Sequence, residues 1–133
     1  MVNSTKDSDQ SALLKKGELL SIIELGGYPD FSSLYRDAGY NVESCQSMRN
    51  AIRALKKYQP AVIVAEFNFQ SDFRDRTSNL ESLLAVVQRM PDVDVVIFYE
   101  KEFAHQFEKI QTRFPIHAAL SFPIDTEQLK AVL

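Results

Sequence analysis

The chain has a single cysteine, Cys45, so no disulfide can form within it, and a reducing compartment is expected. Positive charge is also scarce. Against 18 Asp and Glu stand 15 Lys and Arg, giving a formal charge of -3. The basic residues are scattered, with Lys15-Lys16 and Lys56-Lys57 as adjacent pairs. A nucleic-acid surface normally carries a basic patch, so no nucleic-acid partner is expected. No apolar run approaches the ~20 residues of a membrane-spanning helix, so no membrane partner is expected. Residues 1–11 are polar and lack the charged end and apolar stretch of a secretory signal. Together these absences predict a cytoplasmic domain.

Markers of catalysis are missing too. Gly26-Gly27 lacks the further glycine and the K-S/T pattern of a phosphate-cradling loop. His105 and His117 do not have metal-ligand spacing. Cys45 has no adjacent His or Arg to activate it and reads as structural. The expectation is a chain with no catalytic residue, no cofactor and no resident metal, and not an enzyme.

What is present is an alternation of two periods. Residues 1–17 lack apolar periodicity and read as a flexible lead-in, followed by one domain over 18–133. Leu19 to Leu25 is a near-continuous apolar run, as in a parallel strand covered on both faces. Pro29 suits a first helical turn, and Phe31, Leu34, Tyr35 and Ala38 make one helix face, stopped by Gly39. Tyr40 to Cys45 is a second strand. Met48, Ala51, Ile52 and Leu55 form the next stripe, with Ser47 as its cap. Ala61 to Ala65 is the most β-prone run and is expected to be the central strand.

Residues 70–77 read as a loop, and Ser78 with Glu81 as a capping box for a helix carrying Leu80, Leu83, Leu84 and Val87. A fourth strand spans Val93 to Tyr99, and Phe103, Phe107, Ile110 and Phe114 mark a fourth helix. A fifth strand spans Ile116 to Phe122, and Asp125 or Thr126 caps a last helix carrying Leu129 and Val132. That helix has room for about two turns before Leu133: either it is short or the natural chain continues. Five strands alternating with five helices predict an α/β fold: a three-layer, doubly wound parallel sheet of order 2-1-3-4-5, flavodoxin-like. Such a sheet places its site at the carboxyl ends of the first and third strands, which here carry Glu24 and Glu66.

Local motifs add a resemblance. Residues 38–42, A-G-Y-N-V, resemble the A-G-Y-x-V between the first helix and second strand of response-regulator receiver domains. Residues 51–66, from Ala51 through Pro60 to Glu66, resemble that family's A-L-x-x-L-x-x-x-x-P-D-L-x-x-x-D. Met90-Pro91-Asp92-Val93 and Pro123 also match, and the similarity runs over 18–133.

The resemblance implies a site in which an acidic pair binds magnesium and an aspartate accepts phosphate, helped by a Ser or Thr and a Lys. Magnesium needs hard oxygen ligands, and the cations offset charge gathered on the phosphoryl group. At the matching positions this chain has Glu24-Leu25, Glu66, Tyr99 and Phe122. Gln70 stands where Pro is usual, an insertion lengthens the loop to Ser78, and Ala119 replaces a common aromatic.

A degenerate receiver, a pseudo-receiver in bacterial signal transduction, is therefore expected. It would act as a phosphorylation-independent protein–protein interaction module. Glu66 would be either a constitutive phosphate mimic or a solvated carboxylate, and Tyr99 either a wedge fixing one conformer or an ordinary half-buried aromatic. The partner would be a signalling protein, docking at the fourth helix, fifth strand and fifth helix, a face that also suits homodimer formation. The alternatives are a phosphorylatable receiver with an atypical site and a small α/β enzyme on the same fold.

Overall fold

A computed structural model describes residues 17–24, 27–68 and 80–133. Its elements run β1 (Gly17–Ile22), α1 (Ser32–Asp37), β2 (Tyr40–Cys45), α2 (Met48–Leu55) and β3 (Val62–Glu66). They continue with α3 (Leu80–Val87), β4 (Asp94–Tyr99), a 3-10 turn (Lys101–Phe103) leading into α4 (Ala104–Gln111), β5 (Ala118–Ser121) and α5 (Thr126–Ala131). All strand pairs are parallel and the sheet order is β2-β1-β3-β4-β5, as the alternation of periods predicts.

The sheet separates two apolar layers, and alternation along each strand decides which residue joins which. Leu20, Ile22, Ile63, Ala65, Val95 and Ile97 face α2, α3 and α4, where they meet Met48, Ala51, Leu83, Phe107 and Ile110. Leu19, Val62, Val64, Val96, Phe98 and Leu120 face α1 and α5, where they meet Tyr35 and Leu129. Burying each such Leu, Ile or Phe contributes about 1.5–3 kcal/mol, so these two layers supply most of the driving force. Because β3 is covered on both faces, every residue in it is buried, including its last, Glu66.

Several boundaries move from where periodicity sets them. The first helix begins at Ser32 rather than around Pro29. Asp30 explains the shift: its carboxylate accepts the Ser32 N–H at 2.9 Å, a local turn that competes with helix until Ser32. β1 ends at Ile22 rather than Leu25, since β2, its neighbour, ends at Cys45. One further ladder bond runs from Ile23 N–H to the Cys45 carbonyl, 2.9 Å. β5 is shorter than the apolar run around it, though His117 and Phe122 still donate to the Val95 and Tyr99 carbonyls.

The expected caps hold at two helices. The Ser47 hydroxyl accepts the Asn50 N–H at 3.1 Å, and Asp125 accepts those of Glu127 and Gln128 at 2.8 and 3.3 Å. Gly39 follows α1 with φ 106°, a conformation that suits glycine. Of the expected lead-in over 1–17, Gly17 instead opens β1, paired with Tyr40; residues 1–16, the loop over 70–77 and the Ser78 cap lie outside the described residues. Glu81, the cap's proposed partner, accepts from Arg113 at 2.7 Å.

Candidate functional site

The carboxyl ends of the strands gather two chemistries on opposite faces of the sheet. On the α1 and α5 face, β3 ends in Glu66, which is 3% exposed. The reading of Glu66 as a solvated carboxylate is thus corrected: strand alternation points it inward, in line with Val62 and Val64. Its Oε1 accepts from the Asn68 side chain at 3.4 Å. It lines a cavity of about 20 Å³ with Ser21, Tyr28, Phe31, Tyr35 and Phe98. That is room for about one water molecule. Ser21, 5% exposed, is the other buried polar residue on these strands.

Aromatic rings close this site. Phe98 stands directly opposite Glu66 in the β3–β4 register. Tyr28 packs on Phe98 with centroids 5.4 Å apart and meets Phe122 edge-on at 5.5 Å. Phe31 meets Phe98 edge-on at 5.8 Å. Such tilted and edge contacts are the favoured aromatic geometries. Burial pushes the Tyr28 hydroxyl up to about 12, with added pressure from the negative charges of Glu100 and Glu66.

The five positions singled out by the resemblance do not form one cluster. Glu66 and Phe122 share a face and are linked through Tyr28. Tyr99 points the other way, half-buried, its ring stacked on Phe107 of α4 at 4.9 Å and 22°. Glu24 also lies on that other side and lines an open basin beside α2 with Arg49, Arg53, Lys56 and Ser82. Leu25 lies outside the described residues. Glu24 and Glu66, carried at the ends of neighbouring strands, each line a separate cavity.

This donor set does not fit a magnesium ion with a phosphoryl group. The two carboxylates that would share the metal line different cavities, and Phe122 supplies no cation. Among the described residues no three of His, Cys, Asp and Glu are grouped as a metal site.

The sequence reading missed Tyr28, Phe98 and Ser21. The signal for two of them was present. Alternation puts Phe98, not Tyr99, on the face of Val96 and Leu120, and Ser21 on that of Leu19. Tyr28 carried no such signal, because it sits in a connection. Cys45 is buried, and burial raises its thiol, which agrees with a structural role. His105 and His117 are exposed and apart, near Glu108 at 4.0 Å and Asp94 at 3.9 Å respectively.

No protein-family model and no curated protein sequence matches the chain. Solved structures do match in fold. A response regulator receiver domain protein from Clostridium thermocellum superposes with a TM-score of 0.67 at 13% identity, over 86% of this chain and 90% of that one. A response regulator receiver protein from Sinorhizobium medicae gives 0.64 at 18% identity, over 88% and 91%. A chemotaxis response regulator of Vibrio cholerae gives 0.63 at 19% identity, over 87% and 98%. The sheet order, the five helices and these superpositions establish that the chain has the fold of response-regulator receiver domains.

Proposed function

We propose that this domain is a receiver fold used in signal transduction without phosphotransfer, as a module that binds another protein. The observation that carries this reading is the aromatic closure over Glu66. Tyr28 and Phe98 line the cavity beside Glu66, with the exposed Phe122 packed on Tyr28, at the end of the sheet where the fold's phosphoryl chemistry needs an open, cation-lined cleft. A buried carboxylate in a cavity of about 20 Å³ has no space beside it for a metal ion and a phosphoryl group together. The Glu66 side chain then serves as a fixed feature of one conformer rather than as an acceptor. Neither an enzymatic activity nor a cofactor is part of this reading, and among the described residues no geometry favours one.

An amide NMR titration with Mg²⁺, then Mg²⁺ with beryllofluoride as a phosphoryl mimic, tests the proposal. The expected outcome is at most weak, unsaturable shifts at Glu66 and its neighbours. Saturable shifts running from Glu66 into β5 would overturn it and identify a phosphorylatable receiver with an atypical site.

A further inference from the structure

Resting on the reading of an interaction module, we infer that the groove along α2 is the docking surface and that its occupant is an acidic, partly apolar peptide segment of a partner protein. Arg49, Arg53 and Lys56 recur at i, i+4 and i+7, which sets them in one row on α2. All three are exposed, and none is ion-paired with a described carboxylate, whereas Arg113 and Lys130 are. The row edges an open basin of about 750 Å³, floored by buried Met48 and half-buried Ile52 and bounded by Ser82 of α3. That volume lies within the usual range for binding clefts.

The arrangement selects the class of ligand. At 1.5 Å of rise per residue the row extends ~10 Å, which spreads the three cations along one edge of the basin. A nucleic-acid strand is disfavoured by the overall charge of -3 and by Glu24 at the end of the basin. A peptide with carboxylates spaced along one edge and apolar side chains beside them satisfies both the cation row and the Met48–Ile52 floor. This is the helix-in-groove mode of recognition with complementary charge at the rim.

The probe is a short amidated peptide of Glu, Leu and Ala, with glutamates at i, i+4 and i+7 and leucines beside them, titrated into the ¹⁵N-labelled domain. Saturable shifts confined to 48–56 and Ser82 are expected, with none from the same peptide carrying Gln for Glu. The double variant R49E/R53E, altered only at exposed positions and checked by its urea midpoint, is expected to weaken binding by about tenfold or more.

Shifts on α4, β5 and α5, or undiminished binding by R49E/R53E, would overturn the assignment. So would equal shifts from inorganic phosphate, which would make this a small-anion site. A dimer in sedimentation that R49E/R53E dissolves would make the occupant a second copy and would overturn it as well. Failure of the phosphorylation-independent reading is separable. A beryllofluoride response at Glu66 with the groove still filled would remove that reading alone, and an inert Glu66 with an empty groove would remove the docking surface alone.

Discussion

At the scale of single residues, the decisive contrast is between the side chain at a position and the space left around it. Glu66 occupies the end of β3 where the motif of residues 51–66 puts an aspartate, and its longer side chain is buried there among aromatic rings. Glu66→Asp is expected to fold but to lose about 1 kcal/mol, because deleting one buried methylene leaves a void the packed rings cannot fill. It is also expected to remain unphosphorylated by acetyl phosphate with Mg²⁺, since the aromatic closure and Phe122 are untouched. Urea unfolding and intact-mass spectrometry check the two parts, and a mass gain of one phosphoryl group would show that the acceptor alone was missing. The identity of Glu66 and Phe122 at their positions was readable from motif spacing. Their surroundings were not, because ring packing between Tyr28 in a connection and Phe98 in a strand joins residues far apart in sequence.

At the scale of elements, legibility followed the strength of periodicity. β2 falls at Tyr40–Cys45 and α2 runs from the residue after Ser47, both where pattern and cap coincide. The ends that moved are those where pairing or a turn overrides pattern. The apolar run Leu19–Leu25 outlasts its neighbours in the ladder, and Asp30 delays α1 by bonding Ser32. Tyr99 misled for a related reason: alignment assigns its place along β4, but alternation assigns its face, and that face belongs to Phe107. The Ser47 cap gives an element-scale prediction. Ser47→Ala removes the acceptor for Asn50 N–H at the start of an eight-residue helix and is expected to cost about 1 kcal/mol in the urea midpoint. An unchanged midpoint would mean that packing of Met48, Ala51 and Leu55 alone sets where α2 begins.

At the scale of the whole molecule, the tyrosines, with Tyr28 of the site among them, make stability depend on alkaline pH. Burial is the largest cause of an upward shift at four of the five tyrosines, Tyr28, Tyr35, Tyr40 and Tyr58. Tyr28 is pushed up to about 12, and Tyr35 and Tyr58 higher still. The unfolded chain therefore loses these protons near the ordinary value of about 10, while the folded chain retains them. Where the folded state binds more protons than the unfolded one, stability falls as pH rises. The contribution is fully present below about pH 10 and declines through the folded values, reaching completion for Tyr28 above about pH 12. Urea midpoints measured from pH 8 to 11 are expected to hold level and then drop, with tyrosinate absorbance of the folded protein lagging that of the urea-unfolded chain. Tyr35→Phe, which removes the hydroxyl of the most buried of these four residues, is expected to make the drop shallower. Level midpoints through pH 11 with ordinary tyrosine titration, Tyr28 included, would mean that water reaches these rings and that the packing of Tyr28 beside Glu66 is open.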